Sequence, residues 1–89
     1  MAKRAKLEIM KDILEIVRNN RNGIKPTPLL RRSNLSSTRF KKYYNDLLKK
    51  EFIKEVINKK SKHIFLTDNG QKFLGKYQAI INFIEEFEL

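Results

Sequence analysis

Hydrophobic residues near the start of the chain recur at the spacing of one helical face. They predict an amphipathic helix over residues 4–20, since residues three and four apart share one side of a helix. The side predicted to face the core carries Leu7, Met10, Ile13, Leu14 and Val17. Ile9 and Ile16 form a second, narrower apolar strip, for which two interpretations stand equal: packing inside the chain, or contact with a second subunit. Gly23 ends the segment, because glycine is most easily placed in a left-handed helix end.

A second amphipathic segment, residues 33–50, combines a hydrophobic side with a cationic one. Ser36 and Ser37 offer hydroxyls that accept hydrogen bonds from the free N–H groups of a helix start. The predicted buried side carries Phe40, Tyr43, Tyr44, Leu47 and Leu48, and the opposite side carries Thr38, Lys42, Asn45 and Lys49, flanked by Arg39 and Lys41. Such donors contact phosphates, and Arg and Asn also read base edges. For an isolated helix, a solvated surface is the commoner explanation of exposed lysines, so the neighbouring segments decide.

A short helix is predicted immediately before this segment. Thr27 followed by Pro28 is typical of an N-cap and first helical position, because proline lacks the N–H that a helix start leaves unpaired. Two leucines then face the core, and Arg31 and Arg32 point outward beside the following helix. A helix, a tight polar turn and a longer basic helix have the spacing of a helix-turn-helix.

The hydrophobic period changes after Lys50. Two short β-branched and aromatic runs, residues 52–57 and 62–66, flank a polar loop, and this arrangement predicts a β-hairpin. The predicted tip carries Lys59, Lys60 and Lys62. The single histidine, His63, is interpreted as a strand residue, because no second soft ligand is available to bind a metal ion with it.

The last segment is predicted as one helix that begins at Thr67 and Asp68 and continues to the final residues. Its hydrophobic residues are spaced four and three apart, which is the pattern of a coiled coil. The predicted dimer interface consists of Phe73, Tyr77, Ile80, Ile81, Ile84 and Phe87. An antiparallel pairing is favoured, because it places Lys72 and Lys76 beside the acidic end of the partner. The alternative is a helix folded back onto the second apolar strip of the first helix.

The net charge of +10 is concentrated in the first two-thirds of the chain. Residues 1–62 carry 18 Lys and Arg against 6 Asp and Glu, whereas residues 63–89 carry 2 against 4. This excess predicts an anionic partner, and nucleic acid is favoured over a membrane surface because the basic helix has no exposed aromatic face. With no Cys, one His and three scattered glycines, we expect no enzyme activity, cofactor, metal site or small-molecule ligand. No segment is apolar enough to span a membrane, and a cytoplasmic, nucleoid-associated location is expected.

The order of the predicted elements resembles the winged helix-turn-helix fold, a mainly α (α+β) architecture. More narrowly, it resembles small archaeal DNA-binding proteins that dimerise through a C-terminal antiparallel coiled coil. The residues that carry the resemblance are Leu29-Leu30 with Arg31-Arg32, Asn34-Leu35-Ser36, Arg39-Phe40, Tyr43-Tyr44, Leu47-Leu48, and Leu66-Thr67-Asp68-Asn69-Gly70 followed by Phe73-Leu74. The resemblance divides the chain into a winged DNA-binding domain, residues 1–68, and a dimerisation helix, residues 69–89, within one compact unit.

The resemblance also implies a function, which is the binding of double-stranded DNA by a homodimer that regulates transcription. In this fold the second helix enters the major groove and the wing reaches the backbone or the minor groove. Together with the outward residues noted above, the predicted DNA contacts are Arg31, Arg32, Ser37, Thr38, Arg39, Lys41, Lys42, Asn45, Lys49, Lys59, Lys60 and Lys62.

Two alternatives to a regulator stay open. One is an architectural, chromatin-type protein that contacts mainly phosphates, and the other is a protein–protein adaptor in which the charge only improves solubility. RNA binding is disfavoured, because Phe40, Tyr43 and Tyr44 lie on the predicted core side and leave no platform on which bases stack.

Overall fold

The computed structural model describes residues 2–88 and contains, over that range, four helices and one two-stranded sheet. In chain order these are α1 (Ala2–Arg18), α2 (Pro26–Ser33), α3 (Ser37–Lys49), β1 (Ile53–Asn58), β2 (Ser61–Leu66) and α4 (Asp68–Glu86). The predicted winged helix-turn-helix architecture with a long last helix is therefore confirmed. None of the helices in this range is long and apolar enough to cross a membrane.

The core is built around α1, which contacts α2, α3, α4 and β2. Its Met10, Ile13, Leu14 and Val17 are at most 2% exposed, which confirms the predicted buried side. The other segments contribute Ile24, Leu29, Phe40, Leu47, Ile53, Ile64 and Leu74 to the same cluster. Full burial of one such side chain contributes roughly 1.5–3 kcal/mol, so this cluster fixes α3 and the hairpin relative to α1. The second apolar strip also packs inside the chain, where Ile9 and Ile16 are partly buried against the core.

The second helix begins two residues earlier than the sequence pattern indicates, so the predicted N-cap at Thr27 is wrong. The N-cap is Lys25, whose backbone is extended (φ −75°, ψ 155°) and whose side chain makes no capping hydrogen bond. Pro26 is the first helical residue, and Pro28 lies in the same turn. Both prolines fit, because the first N–H groups of a helix have no intrahelical acceptor. Asn34 then adopts the left-handed conformation (φ 62°) that turns the chain from α2 into α3.

The two strands pair antiparallel, with Asn58 opposite Ser61 at the tip, and this confirms the predicted hairpin. The two residues of the turn, Lys59 and Lys60, both have positive φ angles, of 48° and 70°. A two-residue turn of this kind matches the twist of the strands, but Asn and Gly are the residues that favour it. The hairpin therefore forms with turn residues that are not those preferred by its backbone.

The last helix begins with the cap that the sequence predicts. The Thr67 hydroxyl accepts a hydrogen bond from the Gly70 N–H at 3.1 Å and donates one to the Glu51 carbonyl at 2.5 Å. Gly70 is required by a close approach, because a Cβ atom there would lie 2.2 Å from the Phe52 carbonyl oxygen. The start of α4 is thereby held against the segment that leads into β1.

From this start α4 lies along α1, and the Lys11 ammonium is 5.6 Å from the Tyr77 ring centroid. Leu74 and Ile81 are each 8% exposed, so both are buried within the single chain. Ile81 therefore does not lie on an exposed face, contrary to its place in the predicted dimer interface. The reason is that Ile81 lies seven residues after Leu74, and therefore on the side of α4 that Leu74 packs into the core rather than on the side available to a partner.

Candidate nucleic-acid interface

The third helix has one buried and one exposed side, as its sequence predicts. Ser36 caps it and accepts a hydrogen bond from the Arg39 N–H at 3.3 Å, while Phe40 and Leu47 are buried. The predicted contact residues on the other side are all exposed: Ser37, Thr38, Arg39, Lys41, Lys42, Asn45 and Lys49. Because none of them is covered by α4, their hydrogen-bond donors are accessible to a large ligand.

The two arginines of α2 lie in its last turn and are exposed beside the start of α3. Arg32 Nη1 donates to Asn20 Oδ1 at 3.3 Å, and the Asn20 amide donates to the Ile16 carbonyl at 2.7 Å. Since the acceptor of Arg32 is a neutral amide, the guanidinium keeps its full charge while its position is restrained. A guanidinium of this kind is fitted to a bidentate contact with a phosphate.

A concave groove of about 490 Å³ separates α3 from the start of α1. It is lined by Lys6, Lys42, Tyr43, Asn45, Asp46 and Lys49. Lys50 Nζ lies 3.1 Å from one Asp46 oxygen and Lys6 Nζ lies 3.5 Å from the other. The hydrogen bond from Lys50, with a smaller contribution from Lys6, holds the pKa of Asp46 below its usual range. Across residues 2–88, Lys42 and Lys49 have no carboxylate partner, so they supply the uncompensated positive charge of this groove.

The hairpin carries the second cluster of predicted contacts. Lys59 and Lys60 are exposed at its tip, and neither forms an ion pair in the described part of the chain. Lys62 differs, because its Nζ lies 3.5 Å from Glu55 Oε2. The same carboxylate oxygen accepts a hydrogen bond from the Tyr44 hydroxyl, which joins α3 to the hairpin. Burial, assisted by this carboxylate, raises the pKa of Tyr44, so its hydroxyl stays protonated, and remains a donor, further into the alkaline range than that of a free tyrosine.

An apolar face of α4 lies on the side away from α1. Ile80, Phe83 and Phe87 are 40%, 54% and 58% exposed, and the centroids of the two Phe rings are 4.7 Å apart. The predicted interface residues Phe73 and Tyr77 are instead half-buried, with ring centroids 6.1 Å from each other. Ile84 is also half-buried. The exposed face is therefore centred on Phe83, to one side of the predicted seam.

Three features of these surfaces were missed by the sequence analysis. Lys6 meets α3 only through tertiary packing, so no local pattern marks it. The hydrogen bond between Tyr44 and Glu55 joins a helix to a strand, whereas the helical period assigns Tyr44 wholly to the core side. Phe83 lies off the four-three spacing, but it is three residues after Ile80 and four before Phe87, and this spacing could have identified it.

A family model described as winged helix-turn-helix matches residues 3–85 of the chain. Among curated proteins, no match was found.

Several solved structures are similar to the chain. SSV1 F-93 aligns with a TM-score of 0.68 and 22% identity, covering 89% of this chain and 91% of its own. Sso10a-2, a DNA-binding protein from Sulfolobus solfataricus, aligns with a TM-score of 0.70 and 20% identity, covering 92% and 83%. A MepR mutant of S. aureus has a TM-score of 0.72 and 17% identity, covering 89% of this chain but 61% of its own. At these identities the likeness is one of fold, and it confirms the predicted resemblance to small archaeal winged helix-turn-helix proteins.

Proposed function

Because the chain belongs to the winged helix-turn-helix family, we propose that it binds double-stranded DNA as a homodimer and regulates transcription. The observation that carries the proposal is the exposed donor side of α3, which is backed by the buried Phe40 and Leu47. A helix fixed in this way fits the major groove of B-DNA, which is wide enough to admit it. A location at the nucleoid follows from the proposed partner.

Two groups of side chains on α3 have different roles in this proposal. Arg39 and Asn45 read bases, since Arg pairs with guanine and Asn with adenine through two hydrogen bonds each. Lys42 and Lys49 contact phosphates, which fix the register of the protein on the duplex without reading its sequence. The net charge of +10 supports the electrostatic part of binding, which releases counterions from the duplex.

The flanking elements extend the contact beyond α3. Arg31 and Arg32 lie at the end of α2, where they reach the backbone beside the major groove. Lys59 and Lys60 lie at the tip of the hairpin. From there they reach the DNA backbone on the other side of α3 from these arginines. One structural neighbour supports the choice of ligand, since Sso10a-2 is described as a DNA-binding protein.

Selection of bound sites from a random duplex pool tests the proposal. A dimeric regulator is expected to yield a palindromic consensus with half-sites roughly 34–36 Å apart. Asn45→Ala and Arg39→Ala should each cost about 1–3 kcal/mol and relax the preference at one base position. Lys49→Ala should weaken all sequences alike, and Lys54→Ala, at an exposed lysine of β1 on the face opposite α3, serves as the charge-matched control.

Two other results would change the conclusion. Tight, salt-dependent binding without any consensus would replace the regulator by an architectural role. An absence of duplex binding at low ionic strength would reject DNA as the partner and favour an adaptor that binds an acidic protein.

A further inference from the structure

Ile57 is the most exposed large hydrophobic residue in the described chain, at 72%. It is the second-last residue of β1 and stands opposite Lys62, next to the turn formed by Lys59 and Lys60. A single aliphatic side chain on a protein surface is common. Ile57, however, lies among Lys59, Lys60 and Lys62, the three lysines at the tip of the hairpin, and this tip is the proposed wing.

The strand register determines which way Ile57 faces. Alternate residues of a strand share a face, so Ile57 lies on the same face as Ile53 and Glu55. Ile53 is buried in the core, and Glu55 is bound to Tyr44 of α3. Ile57 therefore lies on the α3 side of the hairpin, beyond the point where the core ends, whereas Val56 lies on the opposite face.

The backbone of the turn indicates that the tip is not optimised for folding. Both Lys59 and Lys60 have positive φ angles, which cost free energy in residues other than glycine. Strain of this kind is concentrated where a local structure serves binding. The two lysines therefore contribute their charge to the tip rather than stability to the turn.

We propose that Ile57 enters the minor groove of the bound duplex, packs against the sugars and base edges, and bends the DNA at that step. The inference rests on the proposed function and adds an apolar contact to it. Apolar side chains placed in the minor groove part neighbouring base pairs and kink the duplex. Lys59 and Lys60 hold the tip against the phosphates that border the groove, which positions Ile57 between them.

This contact has a consequence for specificity. The free energy needed to bend DNA depends on the base step that is bent, and steps such as TA and CA are the most flexible. Ile57 therefore gives a sequence preference at a position that α3 does not reach.

The test uses the full chain and a duplex that carries a donor dye on one end and an acceptor dye on the other. Ile57→Ala is expected to weaken binding about tenfold, which corresponds to roughly 1.4 kcal/mol, with no change in the salt dependence because no phosphate contact is lost. The change in energy transfer that the wild type produces should be absent with this variant. Ile57→Met, which keeps a long apolar side chain, should retain both the affinity and the change in energy transfer. Val56→Ala, on the opposite face, should behave as the wild type.

Several results would overturn the inference while leaving DNA binding intact. One is an equal affinity and equal energy transfer for wild type and Ile57→Ala. Another is a loss of binding that Val56→Ala shares. A third is a change in self-association measured by light scattering, which would mean that Ile57 contacts a second copy of the chain. A wild type that binds no duplex would instead reject the proposed function itself.

Discussion

At the scale of single residues, Glu55 is the point where folding and the proposed DNA binding have opposite requirements. Its carboxylate accepts a hydrogen bond from Tyr44 and lies beside the Lys62 ammonium. These contacts hold the hairpin against α3, but they also neutralise one positive charge of the proposed wing. Because an exposed ion pair contributes only about 0–1 kcal/mol, removing the charge should affect binding more than stability.

The variant Glu55→Gln separates the two effects, since glutamine keeps an acceptor for Tyr44 but no charge opposite Lys62. We expect the free energy of unfolding to change by less than about 1 kcal/mol. Duplex affinity should rise, because Lys62 becomes free to contact a DNA phosphate. The slope of log K against log[salt] should therefore steepen by about 0.9. Fluorescence anisotropy titrations at several salt concentrations measure both quantities. The control is Glu51→Gln, which changes the same charge in an exposed loop residue; an equal effect there would mean that net charge alone is responsible.

At the scale of elements, hydrophobic spacing located the helices and the hairpin because each of them buries only one side. Element starts were predicted less well. Thr67 follows a strand, and only one helix start is possible there, with Thr67 as the N-cap. Thr27, in contrast, stands between two prolines, and both of them fit the first turn of a helix. Local preferences could not decide between them, and the helix that forms includes both prolines.

The candidate site was predictable where it lies within one helix and not where it joins two. The donors of α3 follow from the period of that helix alone, and all are exposed. Lys6 approaches Asp46 only because α1 packs beside α3. Ile81 shows the same limit, because a heptad spacing fits packing against α1 as well as packing against a second copy of α4.

The turn of the hairpin provides a prediction at this scale. Replacing Lys59 by Asn and Lys60 by Gly supplies the residues that favour its backbone. The free energy of unfolding should rise by about 1–2 kcal/mol, and Tm should rise by roughly 4–8 °C for each kcal/mol, while duplex binding weakens. Thermal unfolding followed by circular dichroism measures the first effect. The double variant Lys59→Ala with Lys60→Ala removes the same charges, so it should weaken binding without the gain in stability. A lower Tm for the Asn-Gly variant than for the wild type would contradict the described turn.

At the scale of the whole molecule, charge and hydrophobic surface are separated along the chain. The described residues measure 50 × 26 × 20 Å. Residues 1–62 hold nearly all of the positive charge, whereas the exposed apolar residues Ile80, Phe83 and Phe87 lie on the last helix. One copy of the chain can therefore contact DNA with the winged part while the last helix contacts a second copy.

The exposed apolar face of α4 predicts that the chain forms a homodimer. Substitutions on this face should dissociate it. Phe83→Ser with Phe87→Ser removes two side chains whose burial is worth about 1.5–3 kcal/mol each, so the dimer Kd should rise at least about a hundredfold. Light scattering coupled to gel filtration measures the mass. Gln78→Ser, on the other side of α4, should leave the dimer unchanged, and a monomeric wild type would remove the basis of the proposal.

The orientation of the two helices follows from charge and can be measured separately. In an antiparallel pair centred between Ile80 and Phe83, Lys76 of one copy lies near Glu86 of the other, whereas a parallel pair places like charges together and is disfavoured. The chain has no Cys, so introduced cysteines are the only sites of disulfide formation. Lys76→Cys combined with Glu86→Cys should form a covalent dimer on oxidation, and Lys76→Cys alone should not. Efficient cross-linking of the single variant would show that the helices pair in parallel.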